Sequence, residues 1–214
     1  MNRAFIFDMD GVIVNSEPVW ERYEQKFLPD LMGKGTYFKI KDQILGNSVS
    51  GIYEAVSKYG LKIEKKAFER IYDQYAEMVY EEAKITDGIK ELINKLIAMN
   101  FKLGLVSSSR QYWIDLVINK LSSNNPFQCI LSLDGENAKP KPSPEGYLKA
   151  IRILDSKPSL TMILEDSKRG VQAAKASSAL TICLQEHLPK RYLPEGADLY
   201  VKTVIDLVNK IETI

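Results

Sequence analysis

Apolar and polar positions follow two rhythms along this chain. Short, mostly apolar runs at residues 4–7, 101–106, 127–131, 160–164 and 180–184, with a last one at 199–201, read as strands, and the first has the continuous pattern of a strand buried on both faces. Between them, apolar residues recur at spacings of three and four. Ile89, Leu92, Ile93, Leu96 and Ile97 form one such stripe, and Tyr112, Trp113, Leu116, Val117 and Leu121 a second. Tyr147, Leu148, Ile151 and Leu154 form a third, residues 170–177 another helix, and Val204, Leu207, Val208 and Ile211 the last. Strands alternating with helices predict an α/β core with a parallel sheet covered on both faces.

The interval between the first two strands breaks that alternation. Ser16 before Glu17-Pro18 reads as an N-cap with proline in the first turn. A helical stripe follows at Val19, Trp20, Tyr23 and Phe27, ended by Pro29, Gly33 and Gly35. A second helix is predicted around Ile52, Ala55, Val56 and Tyr59, closed by Gly60, and a long third through Phe68, Ile71, Tyr72, Tyr75 and Val79. No strand is expected there. A crossover between parallel strands needs about a dozen residues or more, and this one is several times that. The expectation is an inserted helical cap at residues 16–84, with residues 1–15 and 85–214 forming the core.

Composition narrows the function classes. The 214 residues suffice for one good-sized core plus a small appendage. Lysine plus arginine is 29 and aspartate plus glutamate 28, so the net charge of +1 gives no electrostatic argument for nucleic acid or a membrane surface. No run approaches the roughly 18 apolar residues of a spanning helix, and the start is too short for a signal peptide before the first strand. Cys129 and Cys183 lie in apolar runs without a CxxC pattern, as buried free thiols of a reducing cytoplasm would. The lone histidine, His187, falls in a polar turn and is expected at the surface rather than on a metal.

Ligands of such sheets bind outside the carboxyl ends of the strands, and the polar clusters of this chain lie there. Asp8 and Asp10 follow the first strand at positions i and i+2, pointing the same way, before Gly11. Ser107-Ser108-Ser109-Arg110 follows the second strand; hydroxyls and free N–H groups before a helix suit a phosphate, though a serine there could simply cap the helix. Lys139-Pro140-Lys141-Pro142-Ser143-Pro144 is a stiff segment that could fix a lysine or merely be a solvated loop. Glu165-Asp166-Ser167 follows the fourth strand, where Asp166 could be a ligand or a helix cap. Carboxylates converging with a lysine would make a hard oxygen site for Mg²⁺.

These clusters, Asp8-Met9-Asp10-Gly11-Val12, Ser107, Lys141-Pro142-Ser143-Pro144 with Tyr147, and Glu165-Asp166-Ser167 with Gly170-Val171, resemble in order and rough spacing the four motifs of the haloacid-dehalogenase superfamily. The helical insert is similar to that of its β-phosphoglucomutase-like branch of sugar-phosphate phosphatases and mutases. The resemblance implies a Rossmann-like doubly wound parallel sheet core with an inserted α-helical cap. It implies Asp8 as nucleophile, Asp10 as general acid and base, and Ser107, Ser108 and Lys141 as phosphate-binding groups. Mg²⁺ would sit on the Asp8 carboxylate, the Asp10 backbone carbonyl and Asp166, with Glu165 as a further ligand or as support.

Three positions depart from the pattern: Asn15 stands where many relatives carry an acid, Ser178 where a glycine usually closes the fourth-motif helix, and Lys139-Pro140 offers a second lysine. Spacing to Tyr147 favours Lys141. The expected function is a Mg²⁺-dependent phosphatase of a small phosphorylated metabolite, a sugar or polyol phosphate. A hexose-phosphate mutase is the alternative enzyme, and an inactive phospholigand- or partner-binding relative the alternative of another class. Mutase relatives usually carry an arginine and a histidine where this chain has Val49 and Trp20. Substrate contacts in the cap are expected near Gly46 and Asn47, and a monomer is the default.

Overall fold

Residues 4–7 are fully buried because their strand is central to a six-stranded parallel sheet. The computed structural model describes residues 1–44, 49–135, 139–190 and 192–214. In chain order the strands are β1 (Arg3–Phe7), β2 (Val14–Asn15), β3 (Lys84–Ile85), β4 (Phe101–Ser107), β5 (Cys129–Ser132), β6 (Thr161–Glu165), β7 (Leu180–Leu184) and β8 (Leu199–Val201). The large sheet has the order β5-β4-β1-β6-β7-β8, and β2 pairs with β3 in a separate two-stranded ribbon. The helices are α1 (Glu17–Met32), α2 (Lys34–Ile44), α3 (Val49–Ser57), α4 (Lys65–Glu82), α5 (Ile89–Ala98), α6 (Gln111–Leu121), α7 (Glu145–Ile153), α8 (Lys168–Ala176) and α9 (Val204–Lys210).

The pleat of β1 feeds both sides of the sheet, since successive side chains alternate. Ala4 and Ile6 join Val106, Ile163 and the inner face of α7, with Tyr147, Ala150 and Ile151. Phe5 and Phe7 meet the aromatic rings of Phe101 and Phe127 at centroid distances of 6.5 and 5.9 Å. The expected α/β architecture is therefore present, with every strand foreseen in the core at its place.

The chain divides into two compact units, residues 1–15 with 85–214, and residues 16–84. Among its described residues the second holds four helices, α1 to α4, with Lys84 in β3, and aromatic rings fill its centre: Trp20, Phe27 and Phe68 each pack on Tyr72 at 5.1–5.5 Å. Three readings of this stretch need correction. Pro29 does not end α1; the helix runs to Met32, with Gly33 at φ 81° beyond it. Burial of Phe27 and Leu28 holds the last turn against the intrinsic cost of proline. Helix α2 has no counterpart in the pattern of the sequence, and Gly35 lies inside it. Only Tyr37 and Ile40 are buried along its described face, too few for a visible period. Ser16 precedes α1 but makes no side-chain cap, since its own backbone is already helical (φ −91°, ψ −28°). The expected cap contacts Gly46 and Asn47 lie outside the described residues.

Other expectations fall out as follows. Cys129 and Cys183 are buried and free, and burial pushes their thiols up to about 11 and about 12. His187 is not simply a surface residue: it is half-buried, its Nε2 is 3.0 Å from Thr86 Oγ1, and burial lowers its pKa. No metal-ligand cluster includes it among the described residues. Nor is any described helix long and apolar enough to cross a membrane.

Ser178 adopts the left-handed conformation, φ 64°, two residues beyond α8. A side chain costs about 1–2 kcal/mol there, whereas glycine costs roughly 0.5–1 kcal/mol through the unfolded chain. Ser178→Gly is expected to raise stability by up to about 1 kcal/mol, read as a higher urea midpoint at unchanged slope. A lowered midpoint would show that the hydroxyl contributes more than the backbone strain costs.

Candidate active site

Parallel neighbours with matched register bring strand ends together. Phe7 is level with Leu105 of β4 and Leu164 of β6, so Asp8 falls beside Val106 and Glu165. The Asp8 N–H donates to the Leu164 carbonyl at 3.0 Å, fixing the first residue past β1. The chain then wraps around the Met9 carbonyl, which accepts from the N–H groups of Val12, Ile13 and Val14 at 2.8–3.3 Å. Gly11 permits the turn at φ 80°, and a Cβ there would lie 1.9 Å from Asp166 Oδ2. Only a residue without a side chain lets Asp166 stand against this loop.

Lys141 is the lysine brought into the cluster; Lys139 is exposed. The Lys141 ammonium donates to Asp8 Oδ1 at 2.5 Å, Glu165 Oε1 at 2.6 Å and the Val106 carbonyl at 3.3 Å. Arg169 Nε donates to the Lys141 carbonyl at 2.9 Å, so α8 holds the backbone of the segment as well. The solvated-loop alternative is thereby removed.

Glu165 has no exposed surface, and both its oxygens are occupied. Oε1 accepts from Lys141 and from the Tyr147 hydroxyl, each at 2.6 Å. Oε2 accepts from the N–H groups of Asp166 and Ser167 and from the Ser167 hydroxyl at 3.1–3.3 Å. A Cβ on Gly170 would fall about 2 Å from this carboxylate, so α8 can start here only with glycine in its first turn. The cap of α8 is Ser167, whose Oγ accepts from the Gly170 N–H at 3.0 Å. Ser167, not Asp166, takes the capping role.

Past β4, the residue capping α6 is Arg110, without a side-chain cap bond, so no serine of the run serves that purpose. Ser107 is buried, and its Oγ accepts the Ser109 N–H at 3.0 Å, which leaves its own proton to donate elsewhere. Ser108 is half-buried beside it. The Ser109 hydroxyl donates to Asp10 Oδ2 at 2.6 Å. Asp8, Asp10, Ser107, Lys141, Glu165 and Asp166 all belong to the first unit.

Asp8, Glu165 and Asp166 each offer an oxygen within 4.8 Å of the others, and the Lys141 ammonium lies against the first two. Burial pushes the Asp8 carboxyl up to about 8, with Lys141 drawing it back and Glu165 and Asp10 adding to the rise. Burial also opposes the Lys141 ammonium, but Asp8 and Glu165 outweigh it and carry its pKa well above the usual lysine value. A cluster of hard carboxylate oxygens fits a small divalent cation such as Mg²⁺.

Sequence reasoning missed Ser109, Tyr147 as a hydrogen-bonding group, and Arg169. Ser109 carried a signal of its own, being two residues past Ser107 in a run of serines. Arg169 carried none.

The family model described as haloacid dehalogenase-like hydrolase matches residues 5–183. A validoxylamine A 7'-phosphate phosphatase of Streptomyces hygroscopicus subsp. limoneus is 25% identical over 97% of this chain and 96% of its own. A phosphorylated carbohydrates phosphatase of Thermotoga maritima is 28% identical over 81% of each protein. In fold, the chain is similar to the crystal structure of a β-phosphoglucomutase from Clostridium difficile, with a TM-score of 0.79, 22% identity and 100% of both chains covered.

Proposed function

The chain belongs to the haloacid dehalogenase-like hydrolases, and we propose that within this family it is a Mg²⁺-dependent phosphatase of a small phosphorylated metabolite, a sugar or polyol phosphate. The observation that carries the reading is Asp8, a buried carboxylate held at 2.5 Å by the Lys141 ammonium, with Asp10 two residues on and Glu165 and Asp166 in reach. A fixed carboxylate nucleophile splits phosphoryl transfer into two easier displacements. The named activities of the similar phosphatases support a phosphorylated carbohydrate as the substrate class.

In the first displacement an Asp8 oxygen bonds to phosphorus as the bond to the leaving oxygen breaks, and Asp10 supplies that oxygen with a proton. The Asp10 carboxylate then takes a proton from water, whose oxygen displaces Asp8 from phosphorus. Ser107, Ser108 and Lys141 hold the phosphoryl oxygens throughout. Asp8, the Asp10 backbone carbonyl and Asp166 would hold Mg²⁺. Bound there, the cation would offset the repulsion between an anionic nucleophile and an anionic phosphate. Glu165 is the support of this assembly rather than a ligand, because five donors already occupy its oxygens.

The test is a screen of phosphorylated sugars and polyols for phosphate release, with Mg²⁺ and with EDTA. Release from at least one substrate is expected, lost on chelation and restored by Mg²⁺. Turnover that survives exhaustive chelation would refute the metal role. Glucose 1-phosphate with a trace of glucose 1,6-bisphosphate should yield no glucose 6-phosphate; efficient isomerisation would make the protein a mutase instead.

A further inference from the structure

We propose that Arg169 is a positioning residue for Lys141, holding the backbone from which the lysine reaches the phosphoryl group. The proposal rests on the reading of Lys141 as a phosphate-binding group.

Residues 139–143 have few ways to bind the rest of the fold. Pro140 and Pro142 carry no N–H to donate. The Ser143 N–H turns back onto the Pro140 carbonyl at 3.0 Å. Among the described residues, the only hydrogen bond between the backbone of this segment and another element runs from Arg169 Nε to the Lys141 carbonyl, at 2.9 Å.

Arg169 is itself placed from the end of β6. The N–H groups of Asp166 and Ser167 donate to Glu165 Oε2 at 3.1 and 3.3 Å, and the Ser167 Oγ accepts from the Gly170 N–H at 3.0 Å. The Lys168 N–H donates to the Tyr192 hydroxyl at 3.2 Å. The first turn of α8 is thus built around the same carboxylate whose Oε1 accepts from the Lys141 ammonium at 2.6 Å. Glu165 holds the tip of Lys141, and Arg169, four residues on, holds its root.

The reaction treats these two holds differently. When a phosphoryl group enters, the ammonium turns donors from Asp8 to the phosphoryl oxygens. Once Asp8 is bonded to phosphorus, its carboxyl is no longer an anion and holds the lysine less. The tip therefore changes partners during the cycle, while the bond at the root stays as it is. Lysine is a point charge on a flexible stem, so a fixed root limits where that charge can go. The charge is then in place before the transition state forms, without rearrangement at that moment.

Arg169 is exposed, where water competes for both partners, so its bond should matter more to turnover than to stability. Arginine, methionine and glutamine have similar helix preference, so α8 tolerates all three. Arg169→Met puts a methyl group in the place of Nε. Arg169→Gln puts an amide N–H donor at that atom and removes the charge. With p-nitrophenyl phosphate and Mg²⁺, kcat/KM of Arg169→Met is expected to fall about tenfold, the scale of one hydrogen bond from a charged group. Inorganic phosphate should inhibit this variant more weakly. Arg169→Gln, which keeps a donor, should stay within about threefold of the parent. Arg169→Ala should behave as Arg169→Met, which decides the matter if the methionine variant folds poorly. Urea midpoints of the folded variants should match the parent. An equal loss in Arg169→Gln and Arg169→Met would mean that the charge acts and not the bond. No loss in either donor-free variant, or a loss that follows a lowered urea midpoint, would leave the contact a structural one. Each of these results would overturn the proposal. Folded Lys141→Met separates the two layers: if it loses turnover and the donor-free variants do not, only the role of Arg169 fails. If it keeps the parent kcat/KM, the reading of Lys141 fails and this proposal with it.

Discussion

Asp8→Asn is expected to fold like the parent and to lose turnover by roughly three orders of magnitude or more, the scale seen when a covalent nucleophile is removed. The amide keeps the shape of the carboxylate and can still accept from Lys141, but its oxygen is not an anion. Folding should survive because the ammonium retains Glu165 at 2.6 Å and the Asp8 N–H still bonds the Leu164 carbonyl. Two measurements check this. Steady-state phosphate release should fall to near background, with far-UV circular dichroism unchanged. Rapid acid quench of the parent with substrate should trap a phosphorylated protein that the variant never forms. A variant with comparable turnover would remove Asp8 from the nucleophile position and, with it, the two-step route.

Much of this arrangement is legible in the sequence, for a physical reason. Strands buried on both faces show as apolar runs regardless of their neighbours, and the six strands of the large sheet are found that way. The helices α5 to α9 each bury one stripe, which a period of three and four reveals. What escapes is structure held by few residues. The ribbon of β2 and β3 has two residues per strand, and α2 buries two described side chains. Pro29 and Gly35 look like breaks because intrinsic preference is visible in a sequence and the packing that overrides it is not.

The site divides in the same way. Its acids lie just past strand ends, where polar residues stand out against apolar runs, so Asp8, Asp10, Glu165 and Asp166 are readable one by one. Their different environments are less so. Glu165 follows Ile163 at i+2, on the sheet face that α7 covers, and so meets Tyr147. Asp166, next along the chain, stands against Gly11 instead. Alternation along a strand contains this distinction, but only once the face covered by α7 is known. Contacts such as Ser109 with Asp10, or Arg169 with the Lys141 carbonyl, join residues that no local rule links.

The Lys141 ammonium lies between two buried carboxylates, and its removal should show that structural role directly. Lys141→Met keeps a long apolar stem and deletes the charge. Asp8 and Glu165 would then remain buried at 7% and 0% exposure, their shared cation gone. Removing one partner of a buried ion pair costs about 3–5 kcal/mol, since the charge left behind is neither hydrated nor paired. The deficit should depend on pH with a definite sign. Burial already holds the Asp8 proton more tightly in the folded protein than in the unfolded chain, and the opposing pull of Lys141 would be lost. A carboxyl raised in this way contributes its stabilising protonation below its unfolded value of 3.8, and that contribution is lost as pH rises through about 8. Urea unfolding in EDTA should therefore separate variant from parent by several kcal/mol at pH 8 and by less at pH 5. The proposed Mg²⁺ site exists only in the folded protein, so Mg²⁺ added in excess of the EDTA should recover part of the loss. A variant as stable as the parent at pH 8 in EDTA would mean that Lys141 neutralises nothing there, and that its place in the site concerns the phosphoryl group alone.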